Sequence, residues 1–551
     1  MSRAREPLSH LRAQHSVQGA LFGADYNPEQ WPPEVIAEDL ELMGRAHVGF
    51  VTVGVFSWAC LEPEPGRFET EWLDTVLDDL HARGVAVDLA IPVASPPPWL
   101  GVMHPESLPQ TRSGTTLWWG SRNQFDPSSP AYREAARRIT RMMVERYADH
   151  PAVAMWHVGN EYGQLSHGDH AAHAFRGWLR ERYGDIGSLN EAWGTSVWSL
   201  GLRDFDDVIP PREAPYLLNP AFELDYARFC SDQLLDCYVD LAGIIRAAAP
   251  EALVTTNFMG FFPLVDYAAW SEHVDVLADD HYTDPADLGT RLTASLTHSY
   301  LRTLGGGQPW VLMEQAAGAV NWREHNVPKT FAQNRLDSWR AHAHGADVIS
   351  YFQFRQAPSG PEVFHSALVP HAGTGTARFR AVTELGRELT GSPLADSEPG
   401  RSRVFFVHDW DSWRAAVGAG QVSRDVDPIA QNERFYAPFF RAGEQVDIGP
   451  STILLSDAVE PGSSLKDSYD LVVLASQFLL RSELVPVLER FVRNGGQLLI
   501  GPHSGVVDQH VRAHLGGTGG GLLELAGVFR EEPWPLAAAL SIHDGTGESA
   551  A

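Results

Sequence analysis

The sequence predicts a (β/α)8 barrel followed by a smaller, doubly wound α/β domain. Two observations carry this expectation. Eight apolar, strand-like runs alternate with helical stretches over roughly the first 390 residues. Composition then breaks at Thr390-Gly391-Ser392-Pro393 and Asp396-Ser397-Glu398-Pro399-Gly400, beyond which a shorter strand and helix alternation resumes. The expected divisions are a tail over 1–20, a barrel over 21–390, a linker over 391–401, an α/β domain over 402–536 and a poorly ordered tail over 537–551.

Leu21 to Tyr26 opens the barrel as a strand stopped by Asn27-Pro28, and Pro32-Pro33-Glu34 starts a helix, where a proline's missing N–H costs little. Phe50 to Phe56 and Val85 to Val93 are the next two strands, separated by an amphipathic helix from Trp72 to Arg83 that Gly84 ends. Leu100 to Pro130 is too long for a plain connector, and such loops usually serve function. A helix from Tyr132 to Tyr147 leads to the fourth strand, Ala152 to Val158. Later strands are Ala252 to Met259, Val274 to Asp280, Trp310 to Gln315 and Asp347 to Arg355, with helices at Pro220 to Ala249, Lys329 to His344 and Ala377 to Leu389. In the second domain Val404 to Val407, Ile453 to Leu455, Leu471 to Ala475 and Gln497 to Gly501 are the expected strands, with helices at Ile429 to Arg441 and Arg481 to Asn494. The run Gly516 to Gly521 has no following Gly-Lys-Ser/Thr and is expected to be a loop without a phosphate role.

Bulk composition narrows the function. Apolar residues make up 44% of the 551, enough for packed cores, and 17 Trp favour a site that stacks on sugar rings. A net charge of −28 repels nucleic acid and anionic membrane, so neither is an expected partner. Cys60, Cys230 and Cys237 fit no disulfide framework or metal pattern, no run reaches membrane-spanning length, and Met1 to Ala20 lacks the apolar segment of a secretory signal. These features predict a cytoplasmic protein.

Two strands end in a carboxylate. Met155-Trp156-His157-Val158-Gly159-Asn160-Glu161 closes the fourth strand, and Trp310-Val311-Leu312-Met313-Glu314 closes the seventh. Asn-Glu also occurs at Asn190-Glu191 and Asn432-Glu433, but there on expected helices. Strands four and seven lie nearly opposite in an eight-stranded barrel, and active sites form at the C-terminal strand ends. Two facing carboxylates are what glycoside hydrolysis needs: one protonates the leaving oxygen and the other supports the anomeric carbon. A strand-end amide such as Asn160 can bond the sugar 2-hydroxyl, a contact that strengthens in the transition state.

Several motifs together resemble glycoside hydrolase family 42, the β-galactosidases of the retaining (β/α)8 clan. They are Gly23-Ala24-Asp25-Tyr26-Asn27-Pro28-Glu29-Gln30-Trp31, Trp156 to Gly163, Val320-Asn321-Trp322, and Tyr351 to Gln356 continuing to Glu362-Val363-Phe364-His365-Ser366. The likeness runs from about Leu21 to Gly501. It implies Glu161 as acid/base and Glu314 as nucleophile. It implies Asn160 at the 2-hydroxyl, Arg122 as a sugar-binding cation, Trp322 as an aromatic platform and Tyr282 beside the nucleophile. Glu362 and His365 would hold the far hydroxyls of galactose. The expected activity is a retaining exo-β-galactosidase with no cofactor. A β-fucosidase or α-L-arabinopyranosidase on the same scaffold is the alternative, and a silent carbohydrate-binding protein is the reading from another class.

The sequence departs from the family twice. Many members carry a structural zinc held by four cysteines, and here the corresponding positions are Phe125-Asp126-Pro127, Ser166, Gly168 and Ala171, so no metal is expected there. His167, His170 and His173 have ligand-like spacing but are expected to be a solvated loop and helix start. Family members also continue into a small β-sandwich beyond the second domain, which in the family is amidotransferase-like and trimerises. A C-terminally shortened domain and a homotrimer are the expectations here.

Overall fold

The structure is a computed structural model that describes residues 8, 11–12, 17–396, 400–418, 420–457, 464–536, 542–543 and 549–550. Parallel strands β1 (Leu21–Tyr26), β2 (Phe50–Val53), β3 (Ala86–Ile91), β4 (Val153–Val158), β5 (Val254–Thr255), β6 (Asn257–Phe258), β7 (Ala278–Asp280), β8 (Trp310–Glu314) and β9 (Ala346–Ile349) form the barrel wall. β5 and β6 are the two halves of the expected fifth strand. β5 pairs with β4 and β6 with β7, so the ring closes where the chain breaks at Thr256. The eighth strand is shorter than expected and stops at Ile349.

Side-chain alternation sorts the wall into two faces. On β1, Phe22, Ala24 and Tyr26 pack outward under the helices, while Leu21 joins an inner cluster with Phe50, Ala86, Met155, Val311 and Val348. That inner cluster fills the N-terminal end of the barrel. Leu8 and Leu11, from the stretch expected to be a tail, are buried in it, and Arg12 pairs with Asp347 at 3.2 Å. The helices around the wall start on the caps the sequence offers. Asn219 accepts from the N–H groups of Ala221 and Phe222 at 2.9 and 3.4 Å, and Pro220 opens the long helix Pro220–Ala248.

Register, not alternation alone, decides where β8 points its last residue. Leu312 faces outward and Met313 inward, so strict alternation would turn Glu314 outward among the helices. A bulge intervenes. Asp279 pairs with Leu312 but Asp280 pairs with Glu314, and the extra residue, Met313, returns Glu314 to the face that carries Asp280.

The second unit is a four-stranded parallel sheet of β10 (Val404–Val407), β11 (Asp447–Gly449), β12 (Leu471–Leu474) and β13 (Gln497–Ile500) in the order β11-β10-β12-β13. One expectation fails here. Ile453 to Leu455 is not a strand but part of the helix Ser451–Asp457, and the strand is Asp447–Gly449 just before it. A three-residue apolar run has no period of its own, and Pro450-Ser451 supplies a helix start that outweighs it. The unit docks on the barrel through helix Thr290–Leu304. Arg302 pairs with Asp447 at 2.9 Å, and Trp410 donates its indole N–H to the Phe262 carbonyl at 3.0 Å. Most of the expected 537–551 tail lies outside the described residues, apart from Ile542–His543 pairing with Ser549–Ala550. Among the described residues no helix is long and apolar enough to cross a membrane.

Candidate active site

After β4 the chain turns sharply. Gly159 has φ +72°, and a Cβ there would lie 2.7 Å from the Tyr162 ring, so only glycine fits. Glu161 itself is left-handed at φ +45°, a costly conformation for a side chain with a Cβ and one that surrounding structure must hold. Asn257 on β6 does much of the holding. Its Oδ1 accepts the Glu161 backbone N–H at 2.9 Å, and its Nδ2 donates to Asn160 Oδ1 at 2.8 Å and Asp280 Oδ2 at 2.6 Å.

Those two donations fix the amide orientation, so the His157 Nε2 contact to Asn257 Oδ1 at 3.1 Å is an N–H donation. His157 Nδ1 lies 3.0 Å from Asp88 Oδ2. Burial alone would lower the imidazole's pKa. Asp88 and Asn257 overcome that, and the net direction is upward, which suits a ring donating from both nitrogens.

Glu314 stands across the cleft. One carboxylate oxygen from each of Glu161, Asp280 and Glu314 lies within 4.8 Å of the other two. Glu314 is only 6% exposed, and burial first and the Glu161 charge second push its pKa up to about 8, against the Tyr282 hydroxyl and Arg122, which pull it down. The Tyr282 hydroxyl donates to Glu314 Oε2, and Arg122 Nη2 donates to Glu161 Oε2 at 2.6 Å. Asp25, at the end of β1, and Asp280 are both buried and pushed well above the carboxylate range, by desolvation and then by Glu314.

The remaining predicted residues ring this centre. Trp322 is 55% exposed at the rim, meets the Tyr282 ring edge-on at 4.9 Å and stacks on His365 at 5.2 Å. Burial lowers the His365 pKa to about 4, so the ring is neutral, and its Nε2 has no protein partner. Glu362 is half-buried, and its pKa is raised by burial, with Arg122 lowering it and Glu161 raising it. All eight predicted side chains therefore belong to one neighbourhood. Asp25, Asp88, His157, Asn257 and Asp280 were not predicted as site residues. Asp25 and Asp280 could have been found by the strand-end rule that singled out the two glutamates.

The family model for β-galactosidases of glycoside hydrolase family 42 matches residues 25–392, and that for the β-galactosidase trimerisation domain matches residues 402–546. The chain belongs to glycoside hydrolase family 42. A β-galactosidase from Arthrobacter sp. is 41% identical over 542 residues, covering 97% of this chain and 76% of that protein. One from Geobacillus kaustophilus is 38% identical, covering 97% and 78%. The crystal structure of β-galactosidase from Bacillus circulans sp. alkalophilus superposes with a TM-score of 0.89 at 32% identity, over 96% of this chain and 77% of that one.

Within family 42 the positions aligned with the zinc-binding cysteines do come together in this fold, as a hydrogen-bonded cluster. Ser166 Oγ donates to Asp126 Oδ2 at 2.7 Å, and a Cβ on Gly168 would lie 3.4 Å from Ser166 Oγ. One carboxylate, one hydroxyl, a glycine and an alanine do not make a zinc donor set. Among the described residues His167, His170 and His173 form no converging group of ligand atoms either.

Proposed function

We propose that this family 42 enzyme removes terminal non-reducing β-D-galactosyl residues with retention, using Glu314 as nucleophile and Glu161 as acid/base. The observation that carries the reading is a pair of facing strand-end carboxylates, one oxygen of each lying within 4.8 Å of the other. Retaining enzymes hold their carboxyl groups about 5–5.5 Å apart, whereas inverting enzymes need about 6.5–9.5 Å to admit water. In the empty cleft the raised pKa keeps a proton on Glu314, and attack requires that proton to leave. Glu161, across the cleft, is the acceptor that makes the transfer productive: it then protonates the leaving oxygen while Glu314 attacks the anomeric carbon. Once the neutral glycosyl ester forms, Glu161 is ionised and activates water.

Sugar recognition follows from unused polar atoms. Asn160 Nδ2 is buried without a protein partner, a donor suited to the 2-hydroxyl, and His365 Nε2 with Glu362 offers partners for hydroxyls on the far side of the ring. Arg122 contributes a planar multi-donor cation, and exposed Trp322 a stacking face. The trimerisation-domain match supports a homotrimer, and three free cysteines suit a reducing, cytoplasmic setting.

The test is the anomer released from a nitrophenyl β-galactoside, followed by NMR. Retention is expected. Glu314→Ala should abolish turnover, and azide should restore a product of inverted configuration. If azide gives the inverted product only with Glu161→Ala, the two roles are exchanged. Cleavage of β-fucosides or α-L-arabinopyranosides but not β-galactosides would change the sugar and keep the chemistry.

A further inference from the structure

Three metal-binding side chains converge on the helix-facing side of β7, behind the catalytic cleft. Asp280 faces the cleft, while its neighbours Asp279 and His281 lie toward helix Thr290–Leu304, which brings His298 against them. One ligand atom from each of Asp279, His281 and His298 lies within 4.8 Å of the other two. Asp279 and His298 are 0% and 1% exposed. Asp279 Oδ2 and His281 Nδ1 face only each other, and both ring nitrogens of His298 have no hydrogen-bond partner. A buried polar group left unpaired is costly, so a cluster of them in one place calls for an occupant.

The geometry suits an ion better than a direct pair. Asp279 Oδ2 and His281 Nδ1 are 3.5 Å apart, long for a hydrogen bond. Two ligands on a tetrahedral zinc with bonds of about 2.0–2.1 Å sit about 3.3 Å apart. The other Asp279 oxygen, Oδ1, accepts the Gly260 N–H at 2.7 Å, which fixes the carboxylate with Oδ2 free. We propose that Asp279, His281 and His298 bind one divalent transition-metal ion, and that the ion pins β7 to helix Thr290–Leu304. Two imidazoles and one carboxylate select the zinc class over magnesium or calcium, which prefer all-oxygen shells. The site is separate from the cysteine-aligned positions around Asp126 and Ser166, and it does not depend on the galactosidase reading.

The full-length protein, dialysed against a chelator and then titrated with zinc chloride, should retain about one ion per chain through gel filtration, with a higher Tm than the chelated form. Cobalt chloride in its place should give the intense visible absorption of a four-coordinate site. His298→Gln and Asp279→Asn should each weaken zinc binding by more than about tenfold. His167→Ala should leave it unchanged. Failure of the wild-type protein to retain zinc or cobalt would overturn the proposal, leaving water as the occupant. So would wild-type affinity in folded His298→Gln, or loss of the ion in His167→Ala. Should the His298 and Asp279 variants not fold, the wild-type stoichiometry and cobalt spectrum decide the matter.

Discussion

The two ends of the barrel are built from the same strands and obey different rules. At the N-terminal end Leu21, Phe50, Met155 and Val348 face inward, and Leu8 and Leu11 close the bottom, so the requirement is volume. At the C-terminal end β1, β7 and β8 deliver Asp25, Asp280 and Glu314, and the requirement is that each polar atom find a partner or a substrate. The difference teaches that an error at the bottom should cost stability, and an error at the top should cost rate. A cleft of about 1510 Å³ lies near Leu8, Leu11 and Trp410, and none of the converging carboxylates lines it.

The sharpest way to break the contrast is Asn257→Leu, which keeps the side chain's bulk and removes all four of its hydrogen bonds. We predict a loss in kcat/KM of about 10²–10³, as for removal of a preorganised donor, accompanied by a lower Tm because His157, Asn160 and Asp280 lose a buried partner; nitrophenyl galactoside kinetics and thermal melting together check it. An unchanged kcat/KM would mean that Glu161 holds its left-handed backbone without Asn257. Met155→Ala is the counterpart at the bottom. It should destabilise the protein by about 2–5 kcal/mol in denaturant unfolding while kcat at low temperature stays near wild type. A large kcat loss with intact stability would show the two ends to be coupled.

A smaller effect tests the electrostatics of the open end. The pKa of Glu314 is raised to about 8 in the fold, so its contribution to stability is fully present below its ordinary value and is lost as the pH rises through about 8. Glu314→Gln carries no such charge. Its Tm advantage over wild type should therefore be larger at pH 9 than at pH 5, and an advantage that shrinks as pH rises would contradict the burial of an ionised Glu314.

Much of the barrel is legible because each strand is a continuous apolar run between Gly and Pro signals, and Glu161 and Glu314 stand out as charges where those runs end. Asn257 is not legible: it sits in a two-residue strand fragment, and its importance comes from four partners distant in sequence. The Asp88–His157 pair hides for a similar reason, since each is a lone polar residue within an apolar strand and only the β3–β4 register brings them together. The metal-binding cluster joins Asp279 of β7 and His281 just past its end to His298 on the next helix, a spacing that resembles no ligand motif. Ile453 to Leu455 misleads because three apolar residues fit a strand and a buried helical turn equally well.

The bulge at Met313 has a consequence for how this enzyme can vary. Met313 is packed in the inner cluster, where its sulfur accepts from the Thr52 hydroxyl at 3.2 Å, and the bulge lets Glu314 follow it on the same inner face. β8 thus presents two successive residues to the interior, one for packing and one for chemistry. Deleting this one residue would put the glutamate next to Leu312, in the inward position that Met313 occupies now, and would remove the side chain that fills the barrel beneath it. Removal of Met313 should therefore lower the Tm more than its exchange for another apolar residue, and residual hydrolysis of a nitrophenyl galactoside by the deletion variant would check that the glutamate stays on the inner face.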